Sequence, residues 1–188
     1  MTAYYIWLSH CLGRGSVTPC NVIREYGSPK AFYDAIAGNP QLTARFSREQ
    51  CTRLKEFTPD HARRIIETCA KKGIDILTID NVSYPERLKN IYAPPLVLFT
   101  RGSLPDFDRL ITIGVVGSRR ITEYGATAAR QIGYDLARAG AVVVSGMALG
   151  IDACSHRGAL EAGGITAAVL GCGVDIAYPP ENEGLMRD

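Results

Sequence analysis

The chain lacks the marks of a secreted, membrane-bound or metal-built protein. None of its six cysteines, at 11, 20, 51, 69, 154 and 172, forms a C-x-x-C pair, and their spacing is irregular. Several sit in apolar runs such as Leu170-Gly-Cys-Gly173, which reads as reduced, mostly buried thiols of a cytosolic protein rather than as disulfide partners or zinc ligands. There is no basic n-region at the N-terminus, and no apolar run approaches the ~18 to 20 residues that span a bilayer. The reading is a cytoplasmic chain, neither exported nor membrane-bound. Charge excess is also missing: 21 Lys and Arg against 19 Asp and Glu leave +2. A balance that small excludes polyanion binding over the whole surface and confines any nucleic-acid site to a local patch. No internal repeat and no low-complexity tract is present.

What is there suits an ordinary globular protein. With 188 residues, 46% hydrophobic and 21% charged, the chain can bury one good core or two small ones. Its character changes near residue 70. Before it, apolar residues recur at helical spacing in Tyr5–Leu12, Pro19–Tyr26, Pro29–Ala37 and Pro59–Lys72, a small all-helical module over 1–70. Thr18, Ser28 and Thr58 each precede a proline, which places a capping hydroxyl ahead of a first-turn proline three times.

From 71 to 188 the pattern is strand-like: Ile74–Ile79, Leu96–Phe99, Leu110–Val116, Ala141–Ser145 and Ile165–Leu170. Helical segments Thr122–Ala139, with Tyr124, Ala128, Ile132 and Leu136 on one face, and Asp152–Ala162 separate the last three. This βαβαβ order predicts an α/β fold, a Rossmann-like doubly wound and mostly parallel sheet. The runs are apolar throughout rather than alternating, as strands covered on both faces are. Residues 83–95 form an irregular bridge. A further helix is expected from Asn182, and a sheet of this type ordinarily continues for two or three more βα units, so the sequence reads as C-terminally incomplete.

Two turns carry the functional signal. Ile111-Thr-Ile-Gly-Val-Val-Gly-Ser-Arg-Arg120 and Val142-Val-Val-Ser-Gly-Met-Ala-Leu-Gly-Ile-Asp152 are each a β-branched run that stops at glycine and feeds a helix. They are expected side by side at one edge of the sheet, where free backbone N–H groups and helix dipoles favour anions. Arg119 adds a planar donor suited to phosphate oxygens.

Three ligands compete. A dinucleotide would want G-x-G-x-x-G, but the first turn reads Gly114-x-x-Gly117-Ser-Arg. The second strand ends in Ser145-Gly146, where an acidic residue should hold a ribose. A hydrolytic or metal site could use Asp152 and His156, four apart on one helix face, yet Asp152 also reads as an N-cap and His156 as a helix-surface imidazole, with no third ligand. His10 and His61 have no neighbours of catalytic type. The third ligand is a nucleic-acid strand, with Arg119, the N–H groups of Gly117 and Ser118, and those from Gly146 to Ile151 holding successive phosphates. Arg120 and Arg157 are near enough in sequence to extend the patch, and each also reads as a solvated helix-end side chain. Tyr124 and Tyr178 read either as base platforms or as packing residues.

The wording resembles a known family. Tyr84-Pro-Glu-Arg-Leu-Lys-Asn-Ile-Tyr-Ala-Pro-Pro-Leu-Val-Leu-Phe-Thr-Arg-Gly102, Gly114-Val-Val-Gly-Ser-Arg119 with Tyr124-Gly125, Val144-Ser-Gly-Met-Ala-Leu-Gly-Ile-Asp-Ala-Cys-Ser-His156 with Ala159-Leu160, and Ala168-Val-Leu-Gly-Cys-Gly173 with Tyr178-Pro179 follow the order of motifs in the DprA/Smf family of DNA-processing proteins. The resemblance implies a protein that binds single-stranded DNA, forms a homodimer and helps load the RecA recombinase in natural transformation, without being an enzyme. It carries Gly117, Ser118, Arg119, Ser145, Gly146 and Gly150 over as strand-binding positions. Some members have a basic residue at the place of Leu149, which implies weaker phosphate contact on that side. The helical module resembles sterile-alpha-motif or helix-hairpin-helix modules less specifically, with Leu12-Gly-Arg-Gly15 as either a hairpin or a plain loop. This reading calls for no cofactor, no metal and no catalytic residue. The rival is a nucleotide-cleaving phosphoribohydrolase on a similar sheet, whose glycine-rich motif with a catalytic Glu would lie beyond Asp188.

Overall fold

The first helix, α1 (Thr2–Leu12), buries Ala3, Tyr5, Ile6, Trp7, Leu8, Cys11 and Leu12. A helix apolar nearly all round is stable only when surrounded, and α2 (Thr18–Tyr26), α3 (Pro29–Gly38), α4 (Arg48–Glu56) and α5 (Pro59–Lys71) all pack against it. Trp7 and Phe32 are fully buried, and Trp7 meets Tyr33 edge-on at 5.1 Å. The computed structural model describes residues 1–13 and 15–188. Arg14, and with it the hairpin reading of Leu12-Gly-Arg-Gly15, lies outside the described residues.

The helix starts follow local chemistry, with one correction. The Ser28 hydroxyl accepts the Ala31 N–H, and at Thr58 the backbone N–H donates to Nδ1 of His61. Thr18 is not a cap: it lies inside α2, and its N–H donates to the Ser16 hydroxyl. The helix α4 is an addition to the expected elements. Its apolar content is low, but Ser47 and Gln50 form a reciprocal capping box at its start, a signal written in the sequence as S-x-x-Q. His10 stacks on Phe57 at 4.0 Å and His61 on the same ring at 5.5 Å. All six cysteines are free, two of them buried and four half-buried.

Strands β1 (Asp75–Thr78) and β2 (Val97–Thr100) pair antiparallel, Asp75 opposite Thr100. Between them lie the short helix α6 (Glu86–Lys89) and the buried Tyr84, whose hydroxyl donates to the Pro95 carbonyl at 2.7 Å. Burial pushes that phenol up to about 12. This strand pair packs on α1 and α5, so it belongs with the helices and not with the later sheet. The chain accordingly divides into compact units at Thr100 and Arg101, later than the change of pattern near 70. Residue periodicity marks where strands begin but says nothing of what they pair with.

The second unit is a three-stranded parallel sheet in the order β3-β4-β5. Its strands are β3 (Thr112–Gly114), β4 (Val142–Ser145) and β5 (Thr166–Ala168), linked by α7 (Glu123–Arg138) and α8 (Ile151–Glu161), and α9 (Glu183–Arg187) follows Asn182. Thr112 pairs with Val142 and Val143 with Thr166. The expected βαβαβ order is what forms. The expected burial holds for the central strand, where neighbouring Val142 and Val143 are both fully buried. It fails at the two edge strands: Gly114 and Ala168 are exposed, and Ile111, Val116 and Val169 beside them stand in solvent, because each edge strand has one neighbour instead of two.

The two helices pack extensively on each other. The buried stripe of α7 is Ala129, Gly133 and Ala137, not the Tyr124 face, whose Tyr124 and Ile132 are exposed. Close approach decides this. A β-carbon on Gly133 would meet the Ser155 carbonyl at 2.2 Å, and one on Gly158 would meet the Arg130 carbonyl at 1.9 Å, so small residues form the contact and larger ones turn outward.

Candidate nucleic-acid interface

Because β3 and β4 are adjacent and parallel, the loops that leave their carboxyl ends emerge on one rim, and they touch. The Ile151 N–H donates to the Ser118 carbonyl at 3.2 Å. Gly150, with φ of 83°, packs so close that a β-carbon would lie 2.3 Å from that same oxygen, and one on Gly117 would strike the Ile151 side chain at 2.6 Å. Gly117, Ser118 and Gly150 are thus brought together, the glycines serving loop-to-loop contact.

Ser145 is placed differently from its expected role. It is buried, and its hydroxyl donates to the Val115 carbonyl at 2.6 Å, which ties the end of β4 to the residue after β3. The Ser118 hydroxyl donates to the Arg120 carbonyl and accepts the Arg120 N–H, closing the first turn on itself.

The second loop carries a further correction. The Asp152 carboxylate accepts the N–H groups of Gly146 at 3.1 Å and Ala148 at 3.3 Å. Those donors, with that of Ile151, are engaged within the protein instead of facing a ligand. Asp152 is not the N-cap either, since Gly150 holds that position. The loop is held from its other side by Asn182, buried, whose amide donates to the Met147 carbonyl at 2.8 Å and the Ala148 carbonyl at 3.2 Å. Met147 has φ of 62°, a left-handed conformation that a non-glycine residue keeps only when its surroundings impose it.

His156 is not on the helix surface. It is buried, and its Nδ1 lies 2.6 Å from the Thr166 hydroxyl. That hydroxyl already donates to the Val143 carbonyl, so Nδ1 carries the proton and Nε2 is left unprotonated. Nε2 has no hydrogen-bond partner among the described residues. Burial pulls the imidazole below its ordinary value, with the Asp152 carboxylate opposing.

Arg119 is exposed and lines a concavity of about 470 Å³ with Gly146, Leu149, Leu170, Tyr178 and Pro179. Its guanidinium pairs with no carboxylate among the described residues. Arg120 is exposed beside it in sequence but does not line the concavity. Arg157 faces a separate groove between α7 and α8, shared with Arg130, Tyr134 and Glu161, and its guanidinium reaches the Asn182 side chain at 3.5 Å. Tyr178 is 65% and Tyr124 83% exposed, so neither is a packing residue. Among the described residues, no group of three His, Cys, Asp or Glu side chains could hold a metal ion, and no helix is long and apolar enough to cross a membrane.

The sequence model of the family described as DNA recombination-mediator protein A matches residues 75–188. The chain belongs to that family. It is 38% identical over 129 residues to the DNA processing protein DprA of Bacillus subtilis, covering 69% of this chain and 43% of the relative. It is 38% identical over 127 residues to the protein Smf of Synechocystis, covering 66% of this chain and 32% of the relative. Against the X-ray structure of DprA from Streptococcus pneumoniae the TM-score is 0.75 at 29% identity, covering all of this chain and 64% of that one. A DNA processing protein A from Helicobacter pylori, described for its single-stranded DNA binding mode, gives a TM-score of 0.52 at 29% identity over 60% of this chain and 50% of that one. The chain therefore spans less than half the length of these curated relatives, and the helical and Rossmann-like parts of the fold both have counterparts in the pneumococcal structure.

Proposed function

We infer that the rim formed by the loops after β3 and β4 binds single-stranded DNA, and that the protein acts by binding rather than by catalysis. The observation that carries this is the Arg119 guanidinium, which pairs with no carboxylate among the described residues, on a turn that the second loop braces through the Ser118 carbonyl, next to an open concavity. A braced cation beside an open cavity suits a phosphate chain: it contributes electrostatic affinity nearly independent of base sequence. Gly117 and Ser118 shape that turn, and Gly146 and Gly150 shape its neighbour. Ser145 supports both from below. Arg120 contributes long-range attraction, while Arg157 acts through Asn182.

The Helicobacter pylori relative, named for its single-strand binding mode, supports the same ligand. The family membership supports a role in recombination in the cytosol, with the RecA recombinase as partner and a homodimer as the working form. The names of the relatives above favour DNA processing over nucleotide cleavage.

The test is the salt dependence of oligonucleotide binding by this chain. Each phosphate neutralised on a single strand adds about −0.7 to the slope of log K against log salt, so Arg119→Ala lowers affinity and flattens the slope by that amount or less. Unchanged affinity together with an unchanged slope overturns the reading.

A further inference from the structure

The concavity beside Arg119 has a second side that phosphate binding does not explain. Part of its lining is apolar and aromatic: Leu149, Leu170, Tyr178 and Pro179. A single exposed aromatic is ordinary on a protein surface. Tyr178 differs because the backbone on both sides of it is held. The Ile176 N–H donates to the Gly173 carbonyl, closing a turn just before it, and the Asn182 N–H donates to the Pro179 carbonyl just after it. Asn182 in turn grips the second rim loop through the carbonyls of Met147 and Ala148. The backbone that carries the ring is therefore tied to the same loop that braces Arg119, and 65% of the residue stays in solvent.

We propose that Tyr178 is a base-stacking platform that receives one unpaired base of the strand whose phosphate Arg119 holds, and so makes the rim select single strands over duplex. This rests on the reading of the rim as a strand site. A cation and an aromatic side chain lining one cavity match the two ends of a nucleotide, and about 470 Å³ falls in the ~300 to 1,000 Å³ range of small-ligand sites. Every base has a π-face, so the platform is tolerant of sequence. In a duplex the base is already stacked and paired, and the ring has nothing to receive. Leu149 and Leu170 add apolar lining to the same cavity.

The experiment compares this chain with Tyr178→Ala, Tyr178→Phe and Arg119→Ala. The probes are an oligothymidine, a strand of equal length with abasic sites, and a blunt duplex. Stacking contributions correspond to about 5- to 150-fold in affinity per base. Tyr178→Ala is expected to weaken oligothymidine binding within that range, to leave the abasic strand and the duplex unchanged, and so to erase the preference for single strands. Tyr178→Phe keeps it, and Arg119→Ala weakens all three probes.

Unchanged oligothymidine binding by Tyr178→Ala, with Arg119→Ala still impaired, overturns the platform and leaves the strand site standing. Equal loss by Tyr178→Ala on the oligothymidine and the abasic strand makes the ring structural and likewise overturns the platform. No effect of either variant overturns both readings together.

Discussion

The α-carbon of Gly150 lies against the carbonyl oxygen of Ser118, so near that a β-carbon there would stand 2.3 Å from it. Two loops from different strands are welded at this point, and the weld is made of backbone. Gly150→Ala adds both a clash and a φ of 83° that an L-residue resists, so it is expected to lower stability by about 2 to 4 kcal/mol. Urea unfolding reads this directly. A loss under half a kcal/mol would mean that the loops separate freely.

Asp152 tests the second loop. Its carboxylate takes two N–H groups, of Gly146 and Ala148, and hydrogen bonds to charged groups contribute about 1.5 to 3 kcal/mol. Asp152→Ala is expected to cost within that range, and Asp152→Asn less, since one acceptor oxygen remains. Equal stability of all three proteins would show that water replaces the carboxylate at no cost.

How much of this was legible in the residues can be judged from these loops. The β-branched runs ending at Gly114 and Ser145, each followed by a helix, do show two neighbouring turns on one rim. The contact at Gly150 was invisible, because a sequence marks a glycine but not the backbone that crowds it. Asp152 misled in another way: an acidic residue at a helix start ordinarily caps its own helix, and here it reaches back six residues to the loop. On α7 the spacing shows Tyr124, Ala128, Ile132 and Leu136 sharing a face but not which face a partner helix approaches; the contact runs along Ala129, Gly133 and Ala137, where a β-carbon on Gly133 would already strike the Ser155 carbonyl. The antiparallel pairing of β1 with β2 also escaped, since four-residue runs carry no information about their partner.

His156 gives the protein a pH dependence of defined sign. Its folded-state pKa is depressed by burial, so the unfolded chain binds the proton more readily. Stability is complete above about 6.5, the ordinary histidine value, and falls as pH drops below it, by up to about 1.4 kcal/mol per pH unit. His156→Asn, which keeps a donor for the Thr166 hydroxyl, removes that component. Urea midpoints of both proteins from pH 8 to pH 5 should diverge only on the acid side. Parallel curves would mean that the imidazole ionises without penalty.

The helix contact makes a prediction about non-additivity. Gly133→Ala and Gly158→Ala each force α7 and α8 apart, against the Ser155 and Arg130 carbonyls, and each is expected to cost about 2 to 3 kcal/mol. Once one substitution has separated the helices the second has room. The double variant should therefore cost clearly less than the sum. Strict additivity in thermal or urea unfolding would place the two contacts in independent packing sites.

Asn182 answers to three masters: the Met147 and Ala148 carbonyls through its amide hydrogens, and Arg157 through its amide oxygen. A residue thirty or more positions downstream thus shares with Asp152 the hold on the loop around Met147. An inheritable change in ligand choice need not alter any group that meets the ligand. Replacing this one carboxamide would re-aim the pocket from behind.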